Sequence, residues 1–514
     1  MKNRNIIIGL GVIASLAFAP FATMGAPGDI RDGKAAAVDA GLIDLTSSQV
    51  PTGVGADCVG LSLAGDSLAG DYDGFAGAYP CMNVGLGGHV TLAEIGGGGG
   101  SDSWGWVDDN ATPDDSADDR EIALYTSTRG LTYIDVTDPN LPVVLATSVL
   151  TPNDSGALWR DVKVYSDHAF LVSEHGGYGM KVYDLAELRA IVAPGLQNVI
   201  DPITTYDGFG SAHNIVINEE TGRAYGVGAG NESDEQDSDG GLHIVDISDP
   251  TAPAFLGSFS QDGYTHDAQC VVYTGPDTDY NGEGDDGYQA ELCAAFNEDS
   301  VSIVDVTDPT QAVQIAEIRY STAAYTHQGW FTPDMNFIVF NDELDEDGVL
   351  GSGTVQNTTT YMVDVSELDR DEWKNGIVDE AFLSAPGANN GADGAGAGYL
   401  GDFVQRYVHE TISIDHNLYI TDDGDEIAND TGYIWQANYN AGLQVFRYSD
   451  AGLAGGDLLR VGYFDVDPGL NVKAYGGAWN VYPYFPSGTV IVSTLDEGLF
   501  VLNPDYDAML KHTD

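Results

Sequence analysis

The chain has 514 residues, 43% of them hydrophobic, enough to fill a large core and to exclude wholesale disorder. Eighty acidic against 19 basic residues give a formal charge of −61. That field excludes nucleic acid and anionic membrane surfaces as partners and makes cations the expected company.

The first residues read as an export signal: Lys2 and Arg4 precede the apolar run from Ile6 to Ala22, and small residues follow up to Ala26. Gly9, Gly11 and Pro20 break that run, which is short for a membrane span. Residues 1–26 are therefore expected to be a cleaved signal peptide. The mature chain is expected to be exported, periplasmic or extracellular, with no transmembrane segment left after cleavage.

Residues 27–88 form a Gly- and Asp-rich leader containing Cys58 and Cys81. The chain has four cysteines, and Cys58 and Cys81 are 23 residues apart, as are Cys270 and Cys293. Equal local spacing in an exported chain favours the disulfides Cys58–Cys81 and Cys270–Cys293 among the three possible pairings. No C-x-x-C spacing exists, which disfavours a cysteine zinc site.

From residue 89 onward one phrase recurs seven times: a small residue, a β-rich run, an Asp-like position and a turn. Gly130-Leu-Thr-Tyr-Ile-Asp135, Gly241-Leu-His-Ile-Val-Asp246 and Ser300-Val-Ser-Ile-Val-Asp305 are clear copies, and the others centre on Asp184, Asp364, Arg447 and Asn503. Spacings of 49 to 83 residues suit a four-stranded blade, so residues 89–514 are expected to be an all-β, seven-bladed β-propeller. Little chain follows the seventh copy, and Val90-Thr-Leu-Ala-Glu-Ile95 matches the fourth-strand phrase Val313-Gln-Ile-Ala-Glu-Ile318. An N-terminal strand at Val90–Ile95 is thus expected to complete the last blade and close the ring. Long inserts begin at Asn231, Asp277, Asp342 and Ala385.

A second repeat precedes the first, at the expected start of each blade's innermost strand. Its copies are Trp104-Gly-Trp106, Trp159-Arg160-Asp161, His213-Asn214, His266-Asp267, His327-Gln328, His416-Asn417 and Trp479-Asn480. Innermost strands line the channel, so Arg160, Asp161, His213, Asn214, His266, Asp267, His327, Gln328, His416 and Asn417 are the candidate ligand-binding rim. Imidazoles beside carboxylates suit a transition metal or a general base. The alternative is structural: each His makes a hydrogen bond within its own blade, as the Gly-His of WD-type blades does.

Asp277, Asp279, Asn281 and Glu283, with Gly282 at the turn, match the opening of a calcium loop, although Tyr288 stands where an EF-hand's closing Glu would be. Asp342, Asp345 and Asp347 with Gly348 form a weaker version. Gly65-Asp-Ser-Leu68 lacks the strand and helix of a hydrolase nucleophile. Gly396-Ala-Gly-Tyr-Leu-Gly401 lies in a low-complexity loop, so no nucleotide is expected.

Tyr79-Pro-Cys-Met-Asn-Val84, Leu158-Trp-Arg-Asp161, Asp262-Gly-Tyr-Thr-His-Asp-Ala-Gln-Cys270, Tyr325-Thr-His-Gln-Gly-Trp330 and Gln436-Ala-Asn-Tyr439 give the chain its likeness. It resembles the choice-of-anchor B family of exported bacterial proteins with LVIVD-type repeats. That resemblance implies a propeller-like fold, an exported location and no established reaction. The family's members differ in their C-terminal anchors; this sequence ends at Asp514 without a hydrophobic tail or sorting motif, which fits a periplasmic or released protein better. The expected role is a binding or scaffold module for a protein, glycan or small ligand. The alternatives are a metal-dependent hydrolase or oxidoreductase using the histidine rim, and a calcium-stabilised surface or matrix component.

Overall fold

The computed structural model describes residues 55–60, 74–112, 116, 118–148, 157–230, 236–348, 351, 353, 355–368, 404–422, 431–468 and 472–512. The expected signal peptide, the phrases at Gly65–Leu68 and Gly396–Gly401 and the insert from Ala385 lie outside the described residues.

Seven β-sheets form seven blades. Their innermost strands are Gly100–Asp108, Arg160–Tyr165, Asn214–Asn218, Asp267–Val272, Thr326–Phe331, Leu418–Asp422 and Ala478–Tyr482. Each packs against the next and the last returns to the first, so the circle closes. The recurrent phrase supplies the third strand of every blade, from Gly130–Asp135 in the first to Leu499–Pro504 in the seventh. Its Asp recurs for a local reason: the side chain accepts the backbone N–H two residues on and so caps the turn. Asp135 bonds Thr137 N (3.1 Å), Asp246 bonds Ser248 N (2.9 Å) and Asp305 bonds Thr307 N (3.0 Å). The apolar positions on both faces of these strands are buried between blades, as in the cluster of Val304 and Val306 with Tyr225, Val227 and Ile244.

Closure is by an N-terminal strand, and its place corrects the sequence expectation. Val84–Val90 pairs antiparallel with Leu499–Pro504, Val90 opposite Leu499 and Val84 opposite Pro504. Residues 92–95, part of the expected strand, form turns instead. The closing strand is glycine-rich because it lies against blade one: a Cβ on Gly87 would stand 2.7 Å from Pro139 O, and one on Gly88 2.5 Å from Pro142 Cδ. A β-branched phrase such as Val90–Ile95 would not fit there.

The leader adds strands to the ring. Strands Val59–Gly60, Gly74–Ala76 and Tyr79–Met82 extend blade six, the last pairing with Leu459–Phe464. Both expected disulfides are present, Cys58–Cys81 within this extension and Cys270–Cys293 between directly opposed residues of adjacent strands in blade four. They place the folded chain in an oxidising compartment. No helix among the described residues is long and apolar enough to cross a membrane. Because Cys270–Cys293 closes the loop around the acidic insert, Cys293→Ala should lower stability by about 2–5 kcal/mol. A melting curve identical to that of the wild type would show that the pairing contributes nothing.

Candidate metal centre at the channel mouth

Strands alternate in direction within a blade, so the start of the innermost strand and the turn joining the second strand to the third lie on the same face. This topology brings the second repeat to one mouth of the channel and delivers the loop after Phe337–Asp342 to the same place.

The rings stand in file around that mouth. Centroids are 4.3 Å apart for His213 and His266, 4.2 Å for His266 and His327, 4.3 Å for His327 and His416, and 3.9 Å for His416 and Trp479. Trp159 stacks on Trp479 at 4.4 Å. Blade one departs from the expected phase: Trp104 and Trp106 lie in mid-strand, and Asp102 takes the polar position of the repeat, bonded by Asn480 (2.6 Å) and Asn417 (3.2 Å).

The ring hydrogen bonds of His213, His266 and His416 run from blade to blade, not within blades. His266 Nδ1 contacts His327 O (2.9 Å), His416 Nδ1 contacts Trp479 O (2.5 Å), and Asn214 donates to His266 O (3.3 Å). Asp161 accepts from Ile215 N (2.8 Å) and Gln328 from Leu418 N (2.8 Å). An innermost strand has one edge with no neighbouring strand, and these side chains satisfy exposed C=O groups (His266, His416, Asn214) and N–H groups (Asp161, Gln328) there. Asp161 also holds Lys163 at 2.6 Å, while Arg160 lies over the Tyr178 ring at 5.0 Å. His213 is tied to Glu174 at 2.5 Å.

Among the described residues, His327, Glu343 and His416 alone meet as a metal-holding group, with one ligand atom from each within 4.8 Å of the others and all three buried. Glu343 oxygens lie 3.7 Å from His327 Nε2 and 3.9 Å from His416 Nε2. Two ligands on a tetrahedral zinc-class ion with bonds of about 2.1 Å stand about 3.4 Å apart, so a small contraction would bring Glu343 to ligand spacing from each imidazole. The Trp479 carbonyl keeps the proton on His416 Nδ1 and leaves the Nε2 lone pair facing Glu343, the tautomer that a ligand needs. The Tyr439 hydroxyl donates to Glu343 and fixes its carboxylate.

Sequence reasoning missed Glu343, although its phrase was noticed. Asn341-Asp-Glu-Leu-Asp-Glu-Asp347 reads as a surface loop, yet Asp342, Glu343 and Asp345 are 0% exposed, Glu346 1% and Asp347 8%. Asp342 anchors the turn, accepting Ala324 N (2.7 Å), Tyr325 N (2.8 Å) and Tyr320 OH (2.6 Å). Tyr361 donates to Asp345 and Tyr475 to Asp347. Burial pushes the Asp342 carboxyl up to about 6. Burial, then neighbouring carboxylates, raises Asp345, Glu346 and Asp415 well above the usual range.

The calcium-like loop lies on the opposite face, in the turn between Asp267–Val272 and Glu291–Phe296. There Asp277 accepts Asp279 N (2.9 Å) and Leu368 N (2.9 Å), and Asn281 accepts Glu283 N (2.8 Å). These oxygens are turned onto backbone N–H groups. Asp267 faces a 370 Å³ cavity in the channel, lined also by Trp104, Lys163, Gln328, Trp330 and Tyr419.

A family model for the LVIVD repeat matches residues 236–261, the third-blade copy of the recurrent phrase and its flanks. The chain is a β-propeller carrying an LVIVD repeat. No curated protein matches this LVIVD-repeat propeller by sequence. Similar solved structures include a functionally unknown protein from Desulfotomaculum acetoxidans (12% identity, 69% of this chain and 84% of that one, TM-score 0.38). The periplasmic gluconolactonase of Pseudomonas aeruginosa is similar at 9% identity, 69% and 78% coverage and TM-score 0.36. The extracellular domain of a putative hybrid two-component system from B. thetaiotaomicron is similar at 9%, 74% and 36%, with TM-score 0.37. Likeness at this level says nothing about activity.

Proposed function

We propose that the LVIVD-repeat propeller is an exported binding module that holds a divalent transition-metal ion at its channel mouth, with His327, Glu343 and His416 as ligands. The observation that carries this reading is the convergence of those three buried donors from two adjacent blades. Two imidazoles and one carboxylate suit an ion of the zinc class. Use of the metal in hydrolysis or redox chemistry is the alternative; the burial of all three donors favours retention of the ion over turnover. The resemblance to choice-of-anchor B proteins supports placing the protein outside the cytoplasm.

Cobalt titration followed by visible absorption tests the proposal. The wild type should develop ligand-field bands at neutral pH that fade as the pH is lowered, because protons compete for the imidazoles. Glu343→Gln and His416→Ala should each weaken binding at least ~10-fold, within the 10–100-fold range seen even for outer-shell partners. His213→Ala, whose ring is tied to Glu174, should leave the bands in place. No bands in the wild type, or equal loss in all three variants, would refute the assignment.

A further inference from the structure

We infer that the channel binds a short neutral saccharide in the cavity that opens on the face opposite the histidines. The site goes beyond the metal-binding reading and uses none of the three donors assigned above, so either site can fail without the other.

The cavity measures 370 Å³, within the range of about 300–1,000 Å³ typical of small-molecule sites. Innermost strands of blades one, five and six supply its aromatic wall. Trp104 and Trp330 both pack edge-on to Tyr419, with ring centroids 5.6 and 5.0 Å away. Both indoles are only partly buried although they point into the ring, and large aromatic surface left open inside a concave site marks a place for a ligand.

The polar groups of the wall are fixed and have bonding capacity to spare. Gln269 Oε1 accepts Phe331 N at 2.7 Å and Gln328 Oε1 accepts Leu418 N at 2.8 Å, so each amide is pinned to the next blade by its oxygen. A backbone N–H can bond only the carbonyl end of an amide, which leaves each NH2 for the cavity. Asp267 spends one oxygen on Ala268 N at 2.7 Å and keeps the other. Both NH2 groups and that oxygen are open to solvent and have no hydrogen-bond partner among the described residues.

Charge decides the class of ligand. The place for a cation is already filled from within, because Lys163 Nζ sits 2.6 Å from Asp161 and 4.6 Å from the centre of the Trp104 ring. An amine would meet that ammonium. An anion would meet Asp267 and, at the opening, the exposed Glu219 and Glu220, in a chain of charge −61. What matches is a neutral molecule whose hydroxyls both accept from the amides and donate to the carboxylate, and whose C–H faces lie against aromatic rings.

Titration calorimetry with glucose, galactose, maltose and cellobiose tests the inference. At least one should bind saturably, and glucuronate and glucosamine should bind at least ~10-fold more weakly than the best neutral sugar. Asp267→Asn and Gln269→Glu should each lower its affinity at least ~10-fold. The first variant keeps an oxygen for Ala268 N and the second keeps one for Phe331 N, so each changes the cavity-facing atom and spares the wall. Both should keep the cobalt bands of the histidine centre, and His213→Ala, at the other mouth, should bind the sugar as the wild type does. No saturable heat from any of these sugars at millimolar concentration, glucuronate binding as tightly as the neutral sugar, or an affinity unchanged in both Asp267→Asn and Gln269→Glu overturns the inference. Sugar binding by protein that gives no cobalt bands would uphold it and remove only the transition-metal reading.

Discussion

A protein lacking residues 27–96 should fail to form a stable monomer, although all seven copies of the recurrent phrase remain. The deletion removes the outer strand of blade seven and exposes the ladder of Leu499–Pro504. It also takes Tyr79, Cys81, Val84 and Leu86 from one core cluster and Val90, Leu92 and Ile95 from another. Full burial of one such side chain contributes about 1.5–3 kcal/mol, so their joint loss matches the 5–15 kcal/mol that typically separates folded from unfolded states. The naked strand edge would then pair with other chains. Size-exclusion chromatography with a thermal melt checks this: a monomer with an unchanged melting temperature would show that the ring does not depend on its N-terminal strand. A milder probe is Gly88→Val, which drives a side chain into Pro142.

Raising the pH from 5 to 8 in a chelator should lower the melting temperature. Burial pushes Asp267 and Asp465 up to about 7, and Asp161 adds to the effect at Asp267. Each group thus binds its proton more tightly in the folded state than in the unfolded chain, where a carboxyl titrates near 3.9. Stability from a raised acid is complete below the unfolded value and is lost as the pH climbs through the folded one, here between about 4 and 7. Each tenfold gain in proton affinity on folding is worth about 1.4 kcal/mol, so each group contributes up to ~4 kcal/mol. The charge of −61 acts in the same direction, because acid relieves the chain's self-repulsion. Asp267→Asn should flatten the profile and raise the melting temperature more at pH 8 than at pH 5. A wild-type melting temperature that rises with pH, or a variant with an unaltered slope, would contradict the assignment.

The fold was legible because a propeller repeats its local chemistry. Asp135, Asp246 and Asp305 each cap the same turn, so the phrase around them recurs at blade spacing. The closing strand was harder to place, because Val84–Val90 has to lie against Pro139 and Pro142 and so trades β-branched residues for glycines. The histidine positions were legible for the same reason as the blades. Which of them converge was not, because that depends on Glu343, brought in by a loop of blade five whose acidic composition reads as solvent-facing. Burial of Asp345 and Asp415 is likewise a property of the closed ring and leaves no periodic mark in the sequence.

Elemental analysis of protein purified without chelators reads directly whether His327, Glu343 and His416 hold a metal ion. About one equivalent of a transition metal in the wild type, absent from Glu343→Gln and His416→Ala and kept in His213→Ala, is the expected result. A folded wild-type protein that carries no transition metal and takes none up at neutral pH would rule out a metal ion at His327, Glu343 and His416.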